Sequence, residues 1–216
     1  SLTMTELVVA DIGGTHARFA IATIADGKVV SLTHQIKMKA SDHPSLQIAW
    51  EAYERTLDGE MPSDAAFAVA GPVGGNIIRF TNSSWQILPS QIMEKLKLRR
   101  YTLVNDFGAI GHAVARMEDN LFDLICGPDK SMNDRGLITV VGPGTGLGVA
   151  HILRHEAGYH VTETEGGHVD FAPLDSVEDQ LLKHHRKSYR RVSAERIVSG
   201  PGLAGIYRVL ADLEKK

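Results

Sequence analysis

The chain has 216 residues, 43% of them apolar and 23% charged, with a formal net charge of -3. This suits a soluble globular protein of one large domain or two small ones, and the slightly acidic balance gives no electrostatic footprint for nucleic acid or an anionic membrane. The single cysteine, Cys126, excludes an intrachain disulfide framework and a cysteine-rich zinc site. With no secretory leader or long apolar run to read, a reducing, cytoplasmic setting is expected.

Leu7 to Ile12 is a short apolar run that ends in Gly13-Gly14, which predicts a buried strand entering a tight turn. Phe19 to Ile24 and Val29 to Leu32 continue as strands, joined by the hairpin signal Asp26-Gly27. Ser45 to Leu57 has helical spacing, with Ser41 or Asp42 as the expected cap. Ala65 to Ala70 reads as a strand, Pro89 to Leu96 as a short helix and Tyr101 to Val104 as a strand. Phe107 to Met117 follows as a second helix.

Strands resume at Leu137 to Val141, Gly148 to Leu153 and Tyr159 to Thr164. Helices are expected at Ser176 to Lys187, Ser193 to Ser199 and Leu203 to Leu213. A β-meander, alternating strands and helices, and then a restart of strands predict two α/β lobes, taken as 1–112 and 113–216.

Two glycine turns carry the first functional signal. Asp11-Ile12-Gly13-Gly14-Thr15 lies between strands, where glycines let backbone N–H groups approach an anion and Thr15 adds a hydroxyl. Asp11 at the end of a buried strand is costly without a partner or a metal. A tight hairpin with Asp11 as a local acceptor explains the same residues. The second turn, Gly142-Pro143-Gly144-Thr145-Gly146-Leu147-Gly148, is neither a dinucleotide fingerprint nor a Walker loop: no helix follows and no Gly-Lys-Ser/Thr closes it. A strand–turn–strand clamp on phosphates remains.

Two polar clusters accompany the turns. In Asn105-Asp106-Phe107, where a strand meets a helix, a carboxylate can take a proton from a bound hydroxyl. A plain helix cap is the competing reading. Glu165-Gly166-Gly167-His168 sets a carboxylate and an imidazole beside glycines, a mix suited to polyol recognition; with Asp170, a metal pair is the weaker alternative.

Together these segments resemble the actin-like and sugar-kinase ATPases, and more closely the bacterial glucokinases. The resemblance rests on ADIGGTHAR (Ala10–Arg18), TNSSW (Thr81–Trp85), VNDF (Val104–Phe107), GPGTGLGVAH (Gly142–His151), ETEGGHVDFAP (Glu163–Pro173) and VSAERIVSGPGL (Val192–Leu203), in the family's order over nearly the whole chain.

It implies a ribonuclease-H-like, actin/hexokinase-type α/β fold of two lobes, with mixed sheets flanked by helices. The implied reaction is ATP-dependent phosphorylation of glucose to glucose 6-phosphate, the first step of glycolysis. Asp106 is implied as the base, and Asn105, Asp106, Glu165, His168 and Glu195 as glucose ligands. Ala10, Asp11, Ile12, Gly13, Gly14 and Thr15, with Gly142, Gly144, Thr145 and Gly146, are implied at the phosphates of ATP, and Asp11 at Mg²⁺. The family's late adenosine motif has no counterpart after Leu203, so an incomplete C-terminal lobe is expected. Glucose and ATP are the expected partners, with no nucleic acid or membrane, and a homodimer is carried as an option.

Three other readings compete. A related hexose or amino-sugar kinase of the repressor–open-reading-frame–kinase group is weakened by the lack of that group's cysteine cluster. A sugar-responsive regulator would open on a helix-turn-helix, whereas this chain opens on a strand. A catalytically incomplete sugar-binding fragment is the third.

Basic residues around His184-His185, from Lys183 to Arg191, read as a solvated face, and Trp50 and Trp85 as packing residues.

Overall fold

The computed structural model describes residues 3–132 and 134–215. The chain forms two compact units, Ser1–Ala109 and Ile110–Lys216. In the first, β1 (Met4–Ile12), β2 (His16–Ala25) and β3 (Lys28–Lys39) make an antiparallel meander. Asp26 and Gly27 both take positive φ, 51° and 72°, which matches a two-residue hairpin turn of the primed kind. After α1 (Leu46–Glu54), β4 (Asp64–Val69) pairs parallel to β1. A short ribbon of β5 (Ile78–Arg79) and β6 (Gln86–Ile87) and the single turn α2 (Ile92–Lys95) lead to β7 (Arg100–Asn105), parallel to β4. The strand order β3-β2-β1-β4-β7 puts β1 at the centre. α3 (Asp106–Arg116) starts directly from β7.

Period-2 alternation sends Val8, Ala10 and Ile12 of β1 into the core. There Phe19 stacks on Tyr53 at 5.1 Å and Trp50 lies 5.5 Å from Phe67, ring centre to ring centre. Trp50 and Trp85 are both buried packing residues, and the Trp85 indole donates to the His43 carbonyl at 2.8 Å. The cap of α1 differs from expectation. Ser45 accepts from the Ile48 N–H at 3.2 Å, because Ser41 and Asp42 are used in a preceding 3₁₀ turn, Ala40–Asp42. The segment after Pro89 likewise divides into a 3₁₀ turn, Pro89–Gln91, and the brief α2.

The second unit holds the antiparallel sheet β10-β9-β8, from β8 (Gly136–Pro143), β9 (Leu147–His155) and β10 (Gly158–Thr164). Its helices are α4 (Ser176–His185), α5 (Ala194–Ile197) and α6 (Gly200–Glu214), with Leu181, Val192, Ile197 and Val209 forming a buried cluster. The helix expected from Ser193 to Ser199 is only the single turn α5. α6 begins earlier than its apolar pattern suggests, because Ser199 accepts from the Gly202 N–H at 3.0 Å and Pro201 sits in the first turn.

At the base of the first sheet the buried Asp64 accepts from Arg99 at 3.0 and 3.2 Å and from Arg100 at 2.5 Å. These hydrogen bonds, Arg100's first, hold its carboxyl at about 2, below the ordinary 3.8. A depressed folded-state value means that the ionised pair stabilises the protein above the unfolded value and that this is lost as pH falls towards the folded one. Melting temperatures of the parent should therefore drop across the window from 3.8 to about 2. Asp64→Asn should melt lower at neutral pH and lack that acid-dependent part. An Asp64→Asn variant with the parent's full acid sensitivity would contradict the assignment.

Candidate active site

Three parallel strands end together in the first unit. Ile12, Val69 and Asn105 stand side by side in the register of β1, β4 and β7, and the Ala70 N–H reaches the Ile12 carbonyl at 3.0 Å. The carboxyl ends of parallel strands are where open α/β sheets bind ligands. Gly13 and Gly14 follow β1 at this end, and the turn closes with the Gly13 N–H on the His16 carbonyl at 2.9 Å. A Cβ on Gly14 would lie 3.4 Å from the Asn82 backbone nitrogen, so the turn packs against the Thr81–Trp85 segment. Thr15 is exposed beside it.

Asp11 corrects an expectation. It is not buried: alternation along β1 turns it away from the core, with its side chain half exposed. It faces Arg18 across the β1–β2 pair and accepts from that guanidinium at 3.0 Å.

Asn105 and Asp106 make different local contacts. Asn105 caps α3: its Oδ1 accepts from the Phe107 N–H at 3.0 Å, while its amide donates to the Gly71 carbonyl at 2.9 Å. Asp106, the first residue of α3, accepts from the Phe107 N–H at 2.8 Å and keeps solvent access. Partial burial pushes its carboxyl above the ordinary value, and the nearby Asp11 charge adds to this, against the lowering effect of the Phe107 N–H. A carboxylate at a strand–helix junction, raised in basicity, is suited to accept a proton.

Mg²⁺ prefers oxygen ligands, retains waters and is often held by one or two carboxylates together with substrate phosphates. An accessible Asp11, sharing the strand ends with Asp106, fits such a partly hydrated ion, in competition with Arg18.

The second unit gathers the other polar residues. Thr164 donates to the Val149 carbonyl at 3.1 Å, accepts from the Gly166 N–H at 3.1 Å, and so bends the chain out of β10 into the 3₁₀ turn Gly166–His168. Gly167 is required by close approach, since a Cβ there would come within 2.5 Å of the Leu147 carbonyl oxygen. His168 Nε2 then lies 3.7 Å from Glu165 Oε2 and 3.4 Å from Glu195 Oε1.

Glu195 also reaches the glycine turn. Its Oε2 accepts from the Leu147 N–H at 2.8 Å, and Gly146 leaves room for this carboxylate. The turn is tied on its other side by the Gly200 N–H on the Gly144 carbonyl at 2.7 Å. Gly142 pairs with Gly148 inside the hairpin, and Thr145 is exposed at its tip.

Thus Ala10, Asp11, Ile12, Gly13, Gly14, Thr15, Asn105 and Asp106 share the strand ends of the first unit. Gly142, Gly144, Thr145, Gly146, Glu165, His168 and Glu195 belong to the second. Sequence reasoning missed the anchors. Arg191, read as part of a solvated basic face, donates to the His168 carbonyl at 2.7 Å and to Asp170 at 2.6 Å. His185, read the same way, is buried and bonded through Nδ1 to the Leu181 carbonyl at 2.9 Å. The i, i+4 spacing from Leu181, a core position of α4, was the available signal for His185.

A family model described as glucokinase matches residues 8–216. A glucokinase of Zymomonas mobilis subsp. mobilis is 53% identical over 209 residues, covering 97% of this chain and 64% of that protein. A glucokinase of Saccharophagus degradans is 38% identical and is covered to 63%. Among solved structures, a glucokinase from an Antarctic psychrotroph superposes with a TM-score of 0.85 at 32% identity, over 97% of this chain and 65% of that one. The ROK hexokinase of Thermus thermophilus, at 18% identity and a TM-score of 0.60, shares the fold. The chain thus spans just under two thirds of the relatives it matches. Its fold is the mixed α/β arrangement of the actin-like sugar kinases, and the chain belongs to the glucokinase family.

Proposed function

We propose that the protein to which this chain belongs transfers the γ-phosphoryl group of ATP to the 6-hydroxyl of glucose. The observation that carries this reading is the Glu165, His168 and Glu195 cluster, fixed against the Gly142–Gly148 turn by the Glu195–Leu147 hydrogen bond. The related glucokinase of Balamuthia mandrillaris, 25% identical with a TM-score of 0.74, is described in complex with glucose. In this reading Asn105, Glu165, His168 and Glu195 hydrogen-bond the sugar ring, and Asp106 accepts the proton of the 6-hydroxyl. The freed oxygen pair forms the new O–P bond while the bond to the bridging oxygen of ADP breaks, leaving glucose 6-phosphate and ADP. Backbone N–H groups of Gly13, Gly14 and Thr15 in one turn, and of Gly144, Thr145 and Gly146 in the other, take phosphate oxygens.

When bound, Mg²⁺ would neutralise charge developing on the transferred group, with Asp11 as the residue to hold it. Such an activity is the entry step of glycolysis, and one cysteine suits the reducing cytoplasm. The exposed stripe Leu203, Tyr207 and Leu210 on α6 is compatible with a homodimer contact.

Asp106→Asn in the enzyme should keep glucose affinity near that of the parent and lower kcat by about 10²–10⁴-fold. Because the base must be ionised and its carboxyl is raised, the acid limb of the parent's pH–rate profile should lie above the ordinary carboxylate value and vanish from the residual rate of the variant. Turnover within a few-fold of the parent would remove Asp106 from this role.

Glu165→Ala and His168→Ala should each weaken glucose binding by roughly 1–3 kcal/mol in a titration, with ATP affinity little changed. Parallel loss of both affinities would point to misfolding and leave the cluster without a sugar role.

A further inference from the structure

The helix that opens with Asp106 belongs to both units. α3 runs without a break from Asp106 to Arg116, and the boundary between the units falls inside it, after Ala109. Its first turn is tied to the end of β7 by the Asn105 cap, whose Oδ1 accepts from the Phe107 N–H at 3.0 Å. Its later turns lie on the sheet of the second unit. There Gly111 is buried, and a Cβ on it would come within 2.8 Å of Val161 Cγ1, so the missing side chain lets the helix settle on β10. Arg154 of β9 donates to the Ala115 carbonyl at 3.0 Å and takes one of the acceptors left open at the helix end.

Tyr159, near the start of β10, completes this anchor. His112 and Arg116 stand one turn apart on α3 and both meet it. Arg116 Nε donates to the Tyr159 hydroxyl at 3.2 Å, and that hydroxyl lies 3.1 Å from His112 Nδ1, to which it can donate. The His112 ring meets the Tyr159 ring at 65° with centres 5.6 Å apart, and Arg116 Cζ is 5.5 Å from the centre of the same ring. A single phenol thus grips two successive turns of the helix. The strand that carries it ends at Thr164, directly before the Glu165 and His168 cluster. β10 therefore joins the helix anchor to the cluster, while α3 carries Asp106 at its first position. Neither Tyr159 nor its two partners has a part in the chemistry proposed above.

We propose that Tyr159 is a positioning residue for phosphoryl transfer: by gripping His112 and Arg116 it holds α3 to β10 and sets where the Asp106 carboxylate stands as the 6-hydroxyl gives up its proton. The inference rests on Asp106 as the base. Tyr159 touches neither substrate in it and acts on orientation, where a misplacement of about 1 Å can cost roughly 10²-fold in rate.

The test is a double-mutant cycle in the enzyme, read as kcat, KM and melting temperature. Tyr159→Phe removes the hydroxyl and keeps the ring. It should lower kcat about tenfold and leave KM for glucose and for ATP near the parent's. The lost hydrogen bonds are exposed, so the melting temperature should stay within about 3 °C of the parent's. In an Asp106→Asn background the same substitution should change kcat by less than about twofold, because the group it places is gone. The proposal is overturned if Tyr159→Phe keeps the parent's kcat, if it lowers kcat by the same factor with and without the Asp106 carboxylate, or if the slower rate comes with a melting temperature lowered by more than about 5 °C, the mark of a merely structural role. Parent-like turnover of Asp106→Asn would overturn the base reading and this one with it. A slow Asp106→Asn beside an unaffected Tyr159→Phe would overturn this one alone.

Discussion

The Glu195 carboxylate accepting from the Leu147 N–H, at 2.8 Å, is the contact on which the second unit's site is built. One oxygen fixes the outgoing strand of the glycine turn while the other lies 3.4 Å from His168. A hydrogen bond to an ionised acceptor is shorter and stronger than a neutral one. Its removal would release the turn and the imidazole together, because the polar groups left behind would lack a partner. The glycines follow from the same constraint. Gly146 leaves room for the carboxylate, and Gly167 lets the His168 segment lie on Leu147.

The first unit solves a different problem. A central strand must bury one face and still deliver a carboxylate to its end. Alternation along β1 does both, with Val8, Ala10 and Ile12 in the core and Asp11 turned out towards Arg18. At the neighbouring strand end, Asn105 takes the helix cap and the bond to the Gly71 carbonyl. Asp106 keeps local backbone N–H bonds, that of Phe107 at 2.8 Å, and open access. The helix cap and an accessible carboxylate thus fall on adjacent residues.

Much of this was legible in the sequence, for identifiable reasons. Strand runs closed by glycine, the Asp26-Gly27 hairpin and the helical spacing after Ser45 are local signals, and local physics produced those elements. Burial of Asp11 was misjudged because an apolar run was read as buried on both faces. The fate of His185 and Arg191 depended on partners far along the chain, Leu181 and Gly205 for the first, His168 and Asp170 for the second. Glu195 shows the limit most clearly. Its partner, the Leu147 N–H, is 48 residues away, and nothing in Ser193-Ala194-Glu195-Arg196 announces it. Only the resemblance to a known family singled it out.

The central claim is that one carboxylate joins sugar recognition to the phosphate turn. Amide hydrogen exchange across Gly142–Gly148, with and without glucose, tests it most directly. The account predicts that glucose slows exchange at Leu147 in the parent, and that in Glu195→Ala the same amide exchanges faster and no longer responds to glucose. Glucose binding that leaves Leu147 exchange unchanged, or parent-like protection of this amide in Glu195→Ala, would contradict it.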